Sequence, residues 1–344
     1  MGRVRSLVFE VTQRCDHACL HCYNVWKNER PYPRGELGTA ETLDLLDRAL
    51  EQTGADVVTL SGGEPLLRED LVEIVDHLAG RGRSVVLISN GSRLDEATVD
   101  RLVPDLIETF ELPLLSAERE IHDRMSGVDG AFDRVTRAIA ELKLRGQTVV
   151  GVFVATRLNL PGWEETIDLA LALGVDGLMF NRFNPGGSGR LHLDLLQAAP
   201  GELEAALDIA EQASLRYDFP IACSIAIPPC LVDTGRYTRL SFGFCAAGTE
   251  RAYPTLDPLG NLRPCNHSPT ILGNLRRSGF DGLVAGATLQ AFVAARPAFC
   301  AGCSLELECR GGCKAAAEAC FGSASEMDPF LAAYHRQARR RRTG

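Results

Sequence analysis

Three features are missing from this 344-residue sequence, and each absence argues against a class of protein. No apolar run approaches the roughly eighteen residues of a membrane-spanning helix, so we expect no membrane span. The N-terminus lacks a secretory signal, because its short apolar run leads into a cysteine loop rather than a cleavage site. A basic excess is missing too, since the formal net charge of −9 argues against non-specific nucleic-acid binding.

Cysteine, in contrast, is abundant, with 12 residues in the chain. In a chain without an export signal, this number favours metal ligation over disulfides, and the expected compartment is a reducing cytoplasm. The length suits one large barrel-like domain plus a smaller one. The basic run at residues 339–342 is predicted to be a solvated tail or a helix end.

The first cysteines form a compact motif. Cys15, Cys19 and Cys22 stand at Cys-x3-Cys-x2-Cys spacing, directly after an apolar strand-like run at residues 7–11. Four thiolates usually hold an iron–sulfur cube, so three would leave one iron open for chemistry. A partial zinc site and three unrelated buried thiols are the competing interpretations.

From residue 5 to about 185, strand-like runs rich in Val, Ile and Leu alternate with amphipathic helical stretches. The predicted strands are 7–11, 57–60, 84–89, 107–115, 149–155 and 177–181. The predicted helices lie near 39–52, 68–80, 95–103, 131–145 and 163–173. Six such units indicate an α/β fold with a parallel sheet, too short to close an eight-stranded barrel. We therefore expect an open, partial (β/α)6 TIM-type barrel.

Polar residues follow several of these strands, and ligands collect at the carboxyl ends of parallel strands. After the second strand, Gly62 and Gly63 let the backbone approach a ligand, and Glu64 can accept from an ammonium group. An ordinary turn is the competing interpretation of each such motif. The candidates at later strand ends are Ser89, Asn90, Ser116, Asn159, Asn181 and Arg182.

The three-cysteine loop, the Gly-Gly-Glu motif one unit later and the partial barrel together resemble the radical S-adenosylmethionine (radical SAM) superfamily. The resemblance implies that Cys15, Cys19 and Cys22 hold a 4Fe–4S cluster whose open iron binds SAM. An electron from that cluster then releases a 5′-deoxyadenosyl radical. The implied SAM contacts are Gly62, Gly63, Glu64, Ser89, Asn90, Ser116, Asn159 and Asn181.

The nine remaining cysteines lie after residue 220. Seven of them follow the pattern Cys-x9–15-Gly-x4-Cys, Cys-x2-Cys-x5-Cys-x3-Cys, Cys, which resembles the SPASM extension of radical SAM enzymes. The resemblance implies two auxiliary 4Fe–4S clusters. The outer set is Cys300, Cys303, Cys309 and Cys320, and the inner set is Cys245, Cys265 and Cys313. Cys230, favoured over Cys223, is the predicted fourth inner ligand; alternatively that iron stays open.

The predicted organisation has four parts. Residues 1–195 form the radical SAM core, 196–240 a bridging helix and linker, 241–330 the cysteine-rich SPASM domain, and 331–344 a basic C-terminal tail.

Our first functional hypothesis is a maturase that oxidatively modifies or cross-links a ribosomally synthesised precursor peptide, as enzymes with SPASM extensions commonly do. Auxiliary clusters suit this role because they can take the electron left on the substrate after hydrogen abstraction. Cys15 lies too near the N-terminus for a preceding leader-binding module, so we expect either a separate leader-binding protein or another mode of binding the leader. A flavodoxin- or ferredoxin-type electron donor is expected as well.

Two alternatives stay open. One is a dehydrogenase or decarboxylase of a small molecule, such as a sugar alcohol or a tetrapyrrole, with Arg182, Arg190 and the 185–189 loop holding a carboxylate. The other is a non-catalytic iron–sulfur carrier or zinc-binding module, which would leave the SAM-facing residues without a role. The sequence assigns no catalytic acid or base. The candidates, each expected to be structural, are Glu118, His122 and Tyr237.

Overall fold

A computed structural model describes residues 4–27, 31–102 and 106–343, with side chains up to residue 338. The strands in these ranges are β1 (Ser6–Thr12), β2 (Val57–Gly62), β3 (Ser84–Ile88), β4 (Thr109–Pro113), β5 (Val149–Ala155), β6 (Gly177–Arg182), β7 (Ile221–Cys223), β8 (Ser241–Phe242), β9 (Thr255–Leu256), β10 (Asn261–Arg263) and β11 (Gly273–Asn274). The helices are α1 (Thr39–Thr53), α2 (Leu71–Gly80), α3 (Glu96–Leu102), α4 (Arg119–Ser126), α5 (Ala131–Leu144), α6 (Trp163–Ala172), α7 (Leu193–Leu196), α8 (Pro200–Tyr217), α9 (Phe280–Ala285), α10 (Ala287–Ala294), α11 (Glu306–Cys309), α12 (Lys314–Phe321) and α13 (Pro329–Thr343). The last predicted residue of the 95–103 helix and the side chains of the basic run 339–342 lie outside the described residues.

The first six strands pair in chain order, and each of these pairs is parallel. Helices lie between successive strands, as a parallel sheet requires. The predicted α/β fold with a partial (β/α)6 barrel is therefore confirmed. Observed strand ends differ from the predicted ones by at most two residues. The strand predicted at 107–115 shortens to β4, which ends at Pro113, because proline has no N–H for a further ladder bond.

The barrel strands have two unequal faces. Phe110, Phe153 and Phe180 are fully buried on the helix side, where the Phe153 ring lies 4.3 Å from that of Trp163 in α6. Alternate residues point to the opposite face of the sheet. Members of this second, half-buried face are Thr59, Val86, Glu111, Val152 and Asn181. This half-covered surface, here called the inner face, lines the inside of the open barrel.

Short strands from the C-terminal half extend both edges of the barrel sheet. β7 and β8 continue in parallel beyond β6, whereas β9 pairs in parallel with β1 and leads to antiparallel β10 and β11. The described strands form one sheet in the order β11-β10-β9-β1-β2-β3-β4-β5-β6-β7-β8. Two or three residues are too few for a periodic pattern, so the sequence did not predict these strands. The predicted domain boundaries stay predictions, and the sheet runs across them.

The predicted bridging helix is α8, which packs on the barrel beside α6. The indole N–H of Trp163 donates to the carbonyl of Ala206 at 3.0 Å and joins these two helices. In the described part of the chain, no helix has the length and apolar character to cross a bilayer.

Candidate functional site

The three-cysteine loop leaves the carboxyl end of β1 and is held by hydrogen bonds to other segments of the chain. The bonds are Gly63 N–H to Thr12 O (2.8 Å), Leu20 N–H to Met125 O (2.9 Å), Gly189 N–H to Cys22 O (2.9 Å) and Asn24 Nδ2 to Gly62 O (3.0 Å). Backbone from the end of β2, the end of α4 and the segment after β6 therefore positions this loop.

At three points another segment of the chain lies so close to the backbone of the cysteine loop that only glycine fits. A Cβ atom on Gly63, Gly127 or Gly187 would lie 1.9, 2.4 or 2.6 Å, respectively, from a backbone carbonyl oxygen of residues 13–24. Real Cβ atoms do not come so close, so a larger residue would displace the loop. The 185–189 segment, predicted as a site for a substrate carboxylate, packs here against the backbone of the cysteine loop instead.

The three thiols of the loop influence one another. Burial raises the pKa of Cys19 well above the ordinary range, and the charges of Cys22 and Cys15 raise it further. Burial opposes a charge on Lys27, but the neighbouring thiols outweigh this effect and raise its pKa. The backbone N–H of His17 donates to the Cys15 thiol. Half-buried thiols grouped with a cation and an N–H donor suit a metal cluster, which binds the deprotonated form.

Glu64, Ser89 and Asn90 meet at the carboxyl ends of β2 and β3. The fully buried Glu64 carboxylate accepts from Ser89 Oγ at 2.9 Å through Oε1 and from Asn90 N–H at 2.7 Å through Oε2. Burial raises the pKa of Glu64 to about 7, although these donors lower it. The carboxylate also acts electrostatically on the Cys15 thiol. These predicted contacts therefore lie together, next to the cysteine loop.

Ser116, Asn159 and Asn181 lie at or just beyond the carboxyl ends of β4, β5 and β6, where they hold the protein's own loops. Both amide hydrogens of the buried Asn159 donate to backbone carbonyls near the ends of β4 and β5, at 2.7 and 2.9 Å. The Oδ1 atom of Asn181 accepts from the N–H and the hydroxyl of Ser224, each at 2.9 Å. The Ser116 hydroxyl accepts from the Glu118 N–H at 3.0 Å. Contacts of these three residues with SAM stay predictions.

Two buried ion pairs join the edge strands of the barrel to the cysteine-rich region. Arg182 in β6 pairs with Asp328, which also accepts from the Cys313 N–H at 2.8 Å. At the opposite edge, Glu10 in β1 pairs with Arg263 in β10. All four residues are at most 1% exposed. The predicted contact of Arg182 with a carboxylate of SAM or substrate is therefore wrong, because Asp328 occupies its guanidinium.

The inner set, Cys245, Cys265 and Cys313, lines one common space. The Cys265 thiol accepts from the backbone N–H of His267, and the Cys265 carbonyl accepts from the Ser268 N–H at 3.2 Å. N–H groups directed at cysteine sulfur tune iron–sulfur clusters. The His267 ring lies 4.0 Å from the ring of Tyr23, which follows the last cysteine of the first loop. The segment that follows Cys265 therefore contacts the segment that follows Cys22.

Three members of the outer set also share a space, and a different cysteine joins them. Cys300, Cys303 and Cys309 line this space together with Cys230. The backbone N–H of Gly311 donates to the Cys309 thiol, and that of Gly312 donates to the Cys309 carbonyl at 3.2 Å. The sequence places Cys230 with the inner set, so its position here is a correction. The chain after β7 turns at two prolines toward the outer set.

Cys320 and Cys223 lie elsewhere. Cys320 is on α12 and interacts electrostatically with Asp328, Arg190 and Cys313. Cys223 is in β7 and is 2% exposed within the main hydrophobic core, as expected for a buried thiol. Of the four predicted outer ligands, the structure brings together three.

Glu111 is a candidate that the sequence did not reveal. It lies in β4 on the inner face, opposite Ile88 and Val150 of the neighbouring strands. Burial raises its pKa to about 7, so this carboxyl can give or take a proton near neutral pH. The sequence did contain one indication of this position. Glu111 stands between two apolar residues of a strand, and because side chains alternate along a strand, it faces away from the helices that cover those neighbours.

The acid–base candidates named from the sequence have structural contacts. Glu118 is the N-cap residue of α4, and the buried His122 ring lies 3.3 Å from a backbone carbonyl. The Tyr237 hydroxyl donates to the Asp208 carboxylate in α8 at 3.0 Å.

Comparison with known proteins agrees with this geometry. Residues 9–170 match the radical SAM superfamily. A PqqA peptide cyclase from Methylocella silvestris is 30% identical over 331 residues, which cover 94% of this chain and 86% of that protein. An AdoMet-dependent heme synthase from Methanosarcina barkeri is 26% identical over 345 residues and 95% of each chain. The crystal structure of Streptococcus suis SuiB bound to the precursor peptide SuiA superposes with a TM-score of 0.74 at 15% identity, over 95% of this chain and 75% of that one.

The chain belongs to the radical SAM superfamily and is an enzyme of that family. Membership implies a 4Fe–4S cluster and SAM as its cofactors. The cysteine-rich C-terminal region further fits the SPASM pattern within the superfamily.

Proposed function

We propose that this enzyme modifies a ribosomally synthesised precursor peptide, by oxidising it or by forming a cross-link within it. The observation that carries the substrate class is the similarity to a PqqA peptide cyclase over nearly the whole chain. The fold of SuiB, which was crystallised with a precursor peptide, shows that this architecture accommodates such a substrate in a related protein.

At the SAM end of the site, Cys15, Cys19 and Cys22 hold the 4Fe–4S cluster. When bound, the cluster and SAM supply a 5′-deoxyadenosyl radical, which abstracts hydrogen. Glu64 accepts from the SAM ammonium group, since its carboxylate has about four acceptor positions and internal donors do not use all of them. The other predicted SAM contacts are Gly62, Gly63, Ser89, Asn90, Ser116, Asn159 and Asn181.

The substrate lies on the inner face of the barrel. This face is only half-covered by the protein, and it ends at the strand termini that carry Glu64 and Asn90. Glu111 is placed on it with a pKa of about 7 and takes up the proton that an oxidised substrate releases.

Cys245, Cys265 and Cys313 hold one auxiliary 4Fe–4S cluster, and Cys300, Cys303 and Cys309 hold another. These thiols are grouped, mostly half-buried and supplied with backbone N–H donors, which suits clusters that take part in electron transfer. When bound, such clusters accept the electron left on the substrate after hydrogen abstraction. A flavodoxin- or ferredoxin-type donor and a separate leader-binding protein complete the predicted set of partners.

A small-molecule enzyme is the alternative, and the similarity to a heme synthase favours it. That hypothesis relied on Arg182, Arg190 and the 185–189 loop to bind a carboxylate. In the structure Arg182 is paired with Asp328, and the loop packs on the backbone of residues 21–24. The peptide is therefore the better-supported substrate.

The test is an anaerobic reaction of reconstituted, reduced enzyme with SAM and either a precursor peptide encoded beside its gene or a tetrapyrrole propionate. We expect the peptide to lose about two mass units, the mass of two hydrogens, with formation of 5′-deoxyadenosine. A loss of about forty-four mass units from the tetrapyrrole, with no change in the peptide, would favour the decarboxylase. No cleavage of SAM in protein that contains its clusters would contradict both and favour a non-catalytic carrier.

A further inference from the structure

Cys230 lies where the chain turns from β7 toward the outer set. The N–H groups of Leu231 and Val232 both donate to the carbonyl of Pro228, at 2.9 and 3.2 Å, and close a tight turn around it. Leu231 and Val232 are fully buried. The position of Cys230 is therefore determined by packing and by backbone hydrogen bonds.

The other cysteines of this space come from one short segment. Cys300 and Cys303 are joined by the hydrogen bond from the Cys303 N–H to the Cys300 carbonyl, at 3.1 Å. After Cys309, residues 310–312 all have positive φ angles, which turns the backbone back toward Cys309, with the Gly311 N–H at its sulfur and the Gly312 N–H at its carbonyl. The segment thus presents three thiols on one side of the space, and Cys230 faces them from the other chain segment.

Cys320 is placed differently. It lies seven residues after Cys313 along α12, a separation of about 10 Å along a helix axis. Its electrostatic neighbours are Asp328, Arg190 and Cys313, and Cys313 lines the inner space rather than the outer one. It is not among the described residues that line the outer space.

From this arrangement we infer that Cys230, and not Cys320, is the fourth thiolate of the outer auxiliary cluster, with Cys300, Cys303 and Cys309. A ligand that precedes the SPASM pattern by 15 residues would thereby tie the segment after β7 to residues 300–309. The inference rests on the proposed auxiliary clusters, and it alters which residue closes one of them.

The experiment measures iron, sulfide and the electron paramagnetic resonance spectrum of the full-length, anaerobically reconstituted protein. Three cubes correspond to about twelve irons per chain in the wild type. Cys230→Ala and Cys230→Ser should each lose up to about four irons or show a three-iron signal from a cube with an open corner. The matched control Cys223→Ala removes a buried thiol seven residues away and should retain the wild-type iron content and spectrum.

Double variants decide which cluster is affected, because losses within one cluster do not add. Cys230→Ala in a Cys303→Ala background should remove no further iron, whereas Cys230→Ala in a Cys265→Ala background should. Additive loss with Cys303→Ala, or unchanged iron and spectrum in both Cys230 variants, would overturn the inference. Either result would leave the proposed function intact if the wild type still cleaves SAM. Wild-type protein that binds zinc in place of iron would overturn the proposed function as well.

Discussion

The three-cysteine loop and the cysteine-rich region after residue 220 both gather thiols, but they do so in different ways. In the loop, three thiols come from eight consecutive residues, and the backbone of nearby glycines packs closely against the loop and holds it. In the later region, thiols from positions as distant as 230 and 309 converge, and buried ion pairs join them to the barrel. A local ligand set can be recognised from spacing, whereas a dispersed one depends on the path of the chain.

The largest effect is expected from removing a thiol in the first loop. Cys19→Ala should lower cleavage of SAM to 5′-deoxyadenosine by more than about 100-fold, because even outer-shell losses at metal sites reach that size. Cys309→Ala should lower iron by about four atoms per chain and retain measurable cleavage. Product chromatography and iron analysis of anaerobic protein measure both. Equal loss of cleavage in the two variants would remove the distinction between the regions.

The next effect concerns how the later region is attached to the barrel. Asp328→Ala should lower the free energy of unfolding by about 3–5 kcal/mol, because it leaves Arg182 buried without its partner. The double variant Arg182→Met/Asp328→Leu should recover much of this loss, since neither buried charge remains. Anaerobic denaturant unfolding measures both.

The control for this ion pair is the exposed pair of Arg83 and Asp56, whose atoms lie 3.4 Å apart. Asp56→Ala should change the free energy of unfolding by less than about 1 kcal/mol. A loss in Asp328→Ala no larger than in this control would show that the buried pair does not anchor the region.

The third effect tests the glycine contacts of the first loop. Gly63→Ala should cost about 2–3 kcal/mol and lower the occupancy of the first cluster, because the added methyl group would overlap the Arg14 carbonyl. Gly38→Ala adds the same methyl group where no atom lies within 4 Å, so it should retain iron content and stability. Iron analysis and unfolding measure the two variants. A similar result for both would mean that the loop moves freely.

The smallest effect is a pH dependence on the inner face of the barrel, away from the cysteines of both regions. The pKa of Glu111 is raised by burial from 4.5 to about 7, so the fold favours the protonated form. The associated stability is complete below pH 4.5 and is lost as the pH rises through about 7. Glu111→Gln should therefore be more stable than the wild type above this window, and the difference should shrink toward acid. Unfolding over this pH range tests it, and a pH-independent difference would contradict the shift.

Some of the site was predictable from local patterns. The spacing of Cys15, Cys19 and Cys22 and the turn at Gly62–Glu64 each lie within one short segment, and the structure brings the two segments together. The β–α alternation also predicted the six barrel strands to within two residues. Glu111 was missed because a single carboxylate in a strand carries no motif.

What the sequence by itself determined is the parallel barrel and the first cysteine loop, because short-range periodicity and steric limits shape both. Only the tertiary structure decided the five short strands at the sheet edges, the pairing of Arg182 with Asp328 and the place of Cys230. Arg182 and Asp328 are 146 residues apart in the chain. Contacts at such separations arise from how packed elements route the chain, and no local sequence pattern records that route.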